Sequence, residues 1–239
     1  MQADRSNRSK LYRKLRAWAG RLWQLRSGRL RSEWLTRLRY GDDHFPGPTH
    51  TFPDRFPALF EQCRESLQDV RKPLLLSFGC ATGEEVFSLA KYLPNATIVG
   101  VDINHWCLRQ CARRNTNSRL RFLHRNSDEF ALIDGFDAIF CMAVFQRAEN
   151  RSPAGEDVAH GFTFASFERE ILSLDRKLKP GGLIFLDHCD FRFEDTAASA
   201  HYDALACPAN LRLRKRPLFG RHNLLIAEEH ISNRIFTKR

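Results

Sequence analysis

From residue 72 onward, short apolar runs alternate with stretches whose apolar residues recur at helical spacing. Pro73-Leu-Leu-Leu-Ser-Phe78, Ala96–Val101, 119–125, Phe136–Met142 and Leu183–Asp187 read as strands. Between them, Val86, Leu89, Ala90 and Leu93 mark a helix stopped by Pro94, residues 104–114 form another, and Phe164, Phe167, Ile171, Leu174 and Leu178 make a third, which Pro180-Gly181-Gly182 terminates. Strands and helices in alternation predict a parallel sheet covered by helices on both faces, an α/β doubly wound fold. Arg234–Lys238 reads as the last strand, and the sixth lies near 202–207 or 223–228.

The first 40 residues follow a different pattern. Leu11, Leu15, Trp18, Leu22 and Leu25 keep a 4-3-4-3 spacing among arginines and lysines, and Leu30, Trp34 and Leu38 resume it after Gly28. This predicts basic amphipathic helices over 1–40. Residues 41–54, rich in proline and glycine, read as a linker, and a short helix from Phe56 to about Val70 opens the globular domain at 55–239.

Charge sharpens that division. The net charge of +10 lies entirely in residues 1–40, where 12 Lys and Arg face only Asp4 and Glu33, and the rest of the chain is balanced. The 239 residues are 43% hydrophobic and 28% charged, which excludes a disordered chain, and no run nears the ~18 apolar residues of a membrane-spanning helix. Seven cysteines, none in a C-x-x-C pair, point to reduced thiols in a cytoplasmic compartment and away from a metal site.

Chemistry concentrates in Gly79-Cys80-Ala81-Thr82-Gly83-Glu84-Glu85, directly after the first strand. Glycines at 79 and 83 let the backbone turn sharply and approach a ligand. Two acids in the first helical turn repel a pyrophosphate but suit a ligand carrying ammonium and sulfonium charges. Asp102, at the end of the second strand, can accept from both hydroxyls of a ribose.

These residues resemble the class I S-adenosylmethionine-dependent methyltransferases over roughly residues 72–190. The resemblance implies a Rossmann-like seven-stranded sheet and S-adenosylmethionine as cofactor, wrapped by Gly79, Cys80, Ala81, Thr82 and Gly83. It also implies Asp102 on the ribose, Ile103 beside the adenine, Asn126 and Ser127 after the third strand at the adenine amino group, and Cys141 and Met142 closing the fourth strand. Leu178-Lys-Pro-Gly-Gly182 is a further family mark. The loop Gly-Cys-Ala-Thr-Gly-Glu-Glu is most similar to the chemotaxis-receptor carboxyl methyltransferases, which implies Glu84 near the cofactor ammonium.

For the acceptor, methyl transfer needs a lone pair in line with the methyl carbon, and a base when the acceptor is protonated. His188, ending the fifth strand beside Asp187, is the best candidate base, with His160 second, and Gln146 and Arg147 follow the fourth strand. Leu211-Arg-Leu-Arg-Lys-Arg216 is basic enough to attract an acidic acceptor. The expected function is methyl transfer to an O or N atom of a small molecule or conjugate; a receptor carboxyl methyltransferase and a non-catalytic cofactor-binding module are the alternatives. Neither a metal nor nucleic acid is expected as a partner. The N-terminal stripe is expected to pack on the catalytic domain with its tryptophans covered. Contact with an anionic membrane surface, nucleic-acid binding and an organellar transit role are the other readings.

Overall fold

A computed structural model describes residues 27–41, 51–146, 162–211, 215–231 and 234–239. The stripe Leu11–Leu25, Arg147, His160 and residues 212–214 of the basic segment lie outside the described residues.

Helix α1 (Gly28–Tyr40) is followed by α2 (Pro57–Ser66), and then by strand β1 (Leu74–Phe78), helix α3 (Glu84–Tyr92), strand β2 (Thr97–Asp102), helix α4 (His105–Arg114) and strand β3 (Leu120–His124). The second half runs through α5 (Asp128–Ala131), β4 (Phe136–Met142), α6 (Phe164–Lys177), β5 (Leu178–Asp187), β6 (Tyr202–Leu205), β7 (Lys215–Phe219), β8 (Leu225–Ile231) and β9 (Arg234–Lys238). Seven strands form one sheet in the order β3-β2-β1-β4-β5-β9-β6, while β7 and β8 pair separately as an antiparallel hairpin. Strands β1 to β5 are parallel, and β9 runs antiparallel between β5 and β6.

Alternation along the central strands divides the core between two faces, because successive strand residues point to opposite sides. Leu76, Val99, Ile139 and Ile184 face α6 together with Phe167, Ile171 and Leu174. Leu75, Ile98, Phe140 and Phe185 face the other way, onto Leu59 and Phe60 of α2 and Val86 and Leu89 of α3. Phe140 and Phe185 stack nearly parallel, with ring centres 4.4 Å apart. Six of the seven cysteines are buried in these layers and unpaired, and only Cys207 is half-buried.

Two connections position the site. Strand β1 pairs with β2 on one side and β4 on the other, so the chain winds outward in opposite directions from this point and leaves a crevice at the carboxyl ends of β1 and β4. The β7–β8 hairpin is inserted between β6 and β9, and its anchor is a buried ion pair between Arg216 and Asp190, just past β5, with Nη2–Oδ1 2.7 Å and Nε–Oδ1 2.9 Å. Arg216 is therefore a structural cation, not part of a solvated basic loop. The sixth strand is Tyr202–Leu205, and the apolar run near 223–228 belongs instead to the hairpin.

Phe140→Ala should cost about 3–5 kcal/mol and lower the thermal midpoint by roughly 10 °C, since a buried aromatic is replaced by a cavity facing Phe185. Calorimetric unfolding measures this, and a loss below ~1 kcal/mol would show that the face collapses onto the gap.

Candidate active site

The turn after β1 holds three residues in left-handed backbone conformations, Gly79 (φ +76°), Ala81 (φ +47°) and Gly83 (φ +87°). A Cβ on Gly79 would come within 2.4 Å of Val144, and one on Gly83 within 3.0 Å of the Cys111 sulfur and of Phe87, so both positions need glycine on steric as well as torsional grounds. Ala81 has no such freedom, and its conformation costs about 1 kcal/mol. Its N–H donates to Asp102 Oδ2 at 2.8 Å, which fixes the residue in place. The N–H groups of Gly79 and Cys80 both donate to the Val101 carbonyl at 2.8 and 2.9 Å. The loop is thus tied to the end of β2 at three points.

Asp102 in turn accepts from the Asn104 N–H on Oδ1 at 2.7 Å. Burial pushes its carboxyl above the ordinary value, and the backbone donors at Asn104, Ala81 and Ile103 oppose that rise. A carboxylate has about four lone-pair directions, so with these three backbone donors one remains for a further donor such as a sugar hydroxyl.

Beside this loop a narrow cleft opens between the ends of β1 and β4. Gly79, Cys80, Ala81, Met142 and Ala143 form one wall, and Phe52, Arg55 and Phe56, leading into α2, form the other. Glu85 is the carboxylate in this cleft. Ser77 Oγ donates to its Oε1 at 2.7 Å, and burial, reinforced by Asp187 and opposed by Ser77 and Arg55, raises its pKa to about 7. Glu84 instead pairs with Arg114 at 2.5 Å, on the side of α3 facing α4. Of the two adjacent glutamates, Glu85 is the one that lines this cleft. A sequence signal existed, because Glu85 lies one turn before the buried Ser88 and Leu89.

In the same wall, past the end of β4, Ala143 (φ +61°) donates its N–H to the Asp187 carbonyl at 2.9 Å. The next residue after Asp187, His188, is also left-handed (φ +52°). Its backbone N–H donates to Asp187 Oδ1 and its Nδ1 meets Oδ2, each at 2.8 Å. Asp187 is fully buried, so its carboxylate fixes the tautomer with the proton on Nδ1 and leaves the Nε2 lone pair free of that pairing. The ring of Phe56, which lines the cleft, meets His188 edge-on at 6.4 Å. Gln146 is buried and donates to the Ala143 carbonyl at 3.0 Å, a local tie and not a site group.

The other expected positions spread out. Ile103 is half-buried next to Asp102, and its carbonyl accepts from His124 Nε2 at 3.1 Å. The Asn126 N–H donates to His124 Nδ1, while the Asn126 side chain is exposed in a neighbouring groove. Ser127 Oγ caps α5 by accepting from the Phe130 N–H and donates to the His124 carbonyl. Cys141 points into the core, whereas Met142 faces the cleft. Thr82 contributes its carbonyl to Arg114. No cluster of three or more metal-ligating side chains occurs among the described residues.

Helix α1 lies against this edge. Gly28, Ser32, Thr36 and Tyr40, spaced four apart, form its docking face: Gly28 packs on Trp106, Ser32 Oγ donates to Asn104 Oδ1 at 2.6 Å, Thr36 is 6% exposed, and the Tyr40 hydroxyl meets His124 Nε2 at 3.2 Å. The helix therefore packs on the catalytic domain through small and polar residues. Trp34 is 53% exposed and Leu38 63%, so these two residues of the N-terminal segment face outward, while Leu11–Leu25 lie outside the described residues.

Residues 74–225 match a family model described as a methyltransferase domain. This chain belongs to that methyltransferase family. Its sheet order and crevice are those of the class I, S-adenosylmethionine-dependent enzymes. The methyltransferase is 25% identical over 146 residues to an uncharacterized protein of Synechococcus, covering 59% of this chain and 31% of that protein. It is also 53% identical over 51 residues to the tRNA (guanine-N(7)-)-methyltransferase of Chloroflexus aggregans, covering 21% of each. The matched stretches thus span a third or less of those relatives. Among solved structures, the plantazolicin methyltransferase BpumL with S-adenosylhomocysteine is 17% identical (TM-score 0.40, 60% of this chain and 49% of that one). The precorrin-6y C5,15-methyltransferase of Geobacter metallireducens is 12% identical (TM-score 0.41, 76% and 87%). Membrane-spanning helices are absent from the described residues. The residues present fit S-adenosylmethionine, because the cleft is lined by the carboxylate Glu85 beside the loop residues Gly79, Cys80 and Ala81, and Ala81 is tied directly to a second carboxylate, Asp102, at the end of β2.

Because Glu85 titrates near 7 in the folded methyltransferase against 4.5 ordinarily, its stabilising contribution is complete below about pH 4.5 and lost as pH rises through about 7. Glu85→Gln should therefore match wild type at pH 4.5 and exceed its stability by about 1–3 kcal/mol at pH 8–9. Denaturant titrations across that range check this, and parallel pH profiles would overturn it.

Proposed function

We propose that this methyltransferase moves a methyl group from S-adenosylmethionine to a protonated O or N atom of a small molecule or conjugate. The Gly79–Gly83 backbone would border the methionine portion, with Glu85 facing its ammonium, Asp102 on the ribose hydroxyls, and Ile103 and Asn126 toward the adenine. When bound, the cofactor supplies a methyl carbon made electrophilic by the sulfonium. The chain's own task is to orient an acceptor lone pair toward the cleft and to take its proton. Phe52 and Phe56 narrow the cleft and exclude water around the approach.

The Asp187–His188 pair carries the choice of acceptor class. The buried carboxylate holds the imidazole with its Nε2 as acceptor and stabilises the imidazolium that forms when the proton arrives. Such a base serves a hydroxyl, amine or amide N–H. A carboxylate acceptor, as in a chemotaxis-receptor methyltransferase, is already anionic, and guanine N7 carries a lone pair and no proton; neither needs this pair. The short match to a tRNA methyltransferase therefore does not set the acceptor here.

Asp102→Ala should weaken S-adenosylhomocysteine binding by roughly 1–3 kcal/mol, the scale for losing a buried hydrogen-bonded carboxylate. Titration calorimetry reads it, and unchanged affinity would remove the ribose assignment. His188→Ala should leave that affinity intact while lowering transfer of labelled methyl to acceptors in a cell extract by ~10²-fold. Equal incorporation by the variant would show that orientation alone suffices.

A further inference from the structure

The face of α1 turned away from the catalytic domain combines two features rarely left exposed together. Trp34, Leu35 and Leu38 are each more than half exposed. Along its border with the docking face, a broad open groove runs between α1 and α4, where Leu35, Leu38 and Trp106 lie among Arg31, Arg39 and Arg109. The sequence around this face is one-signed, since residues 1–40 hold 12 basic residues and two acids while the remainder is neutral.

We propose that this face docks the protein on an anionic phospholipid surface, with Trp34, Leu35 and Leu38 entering the headgroup boundary and phosphates seating among Arg31, Arg39 and Arg109. Apolar side chains ringed by arginine on one side of a short helix suit an interface where hydrocarbon and anionic headgroups meet. Nucleic acid matches the arginines but leaves the leucines exposed, and a second copy of this face would bring the same cations together. The opposite side of α1 is committed to Asn104 and His124, next to Asp102, so docking would hold the ribose end of the cleft close to the lipid. This inference is independent of the role assigned to His188.

The test is co-sedimentation of the full chain with vesicles of phosphatidylcholine alone and with ~30% phosphatidylglycerol. Partition should be at least ~tenfold stronger on the anionic vesicles and should fall as salt is raised, because exposed charge attraction is screened. Trp34→Ser with Leu38→Ser should reduce it ~tenfold, and Arg31→Glu with Arg39→Glu should remove the preference for phosphatidylglycerol. Both variants alter exposed side chains, so their thermal midpoints and S-adenosylhomocysteine affinities should match wild type. Vesicle binding unaffected by either pair would overturn the proposal. So would binding to RNA in place of vesicles, or self-association abolished by the apolar pair without any vesicle binding.

Discussion

The hydrogen bond from the Ala81 N–H to Asp102 Oδ2 organises the site. Ala81 sits in a backbone conformation that disfavours side chains, and Asp102 is a carboxyl whose burial disfavours charge. Each is held by the other. Because the same carboxylate orders the Asn104 N–H, and Asn104 caps α4, the loop after β1, the end of β2 and the start of α4 form one rigid corner. Helix α1 reaches that corner through Ser32 and Asn104. A perturbation at Asp102 would therefore reach three elements together.

A second corner is built by the same logic at β4 and β5. Ala143 and His188 both adopt left-handed conformations, and Asp187 satisfies both, accepting from Ala143 on its carbonyl and from His188 on its carboxylate. Strained residues that persist only because their surroundings over-determine them tend to mark working sites. In this protein both corners flank one crevice, as the reversal of winding at β1 and β4 dictates.

Much of this was legible in the sequence. Buried parallel strands read as continuous apolar runs, so Phe136–Met142 emerged with its observed limits, as did the antiparallel Arg234–Lys238. Strand β6 was ambiguous because it is an edge strand in which only Tyr202 is buried, leaving Asp203 and Ala204 nothing apolar to signal. The identity of the cleft carboxylate was obscured by two adjacent glutamates, and only the helix phase, with Arg114 opposite, separates them. Helix α1 inverts the usual inference from an amphipathic stripe. It docks through the Ser32 hydrogen bond to Asn104 and the contact of the Tyr40 hydroxyl with His124, and periodicity of apolar residues says nothing of those.

The cysteines give the molecule an internal gauge. Cys63 lies on α2, Cys80 in the loop, Cys107 and Cys111 on α4, Cys141 on β4 and Cys189 past β5. Burial drives the thiols of Cys63, Cys107, Cys141 and Cys189 upward, the hydrogen bond with Cys111 and then burial do the same for Cys80, and the attacking form of a thiol is the thiolate. A soluble alkylating reagent would thus reach each sulfur only while its own layer stands open. The order in which they become modified would then trace how the sheet and its helices come apart, from the edge at α4 inward to β4.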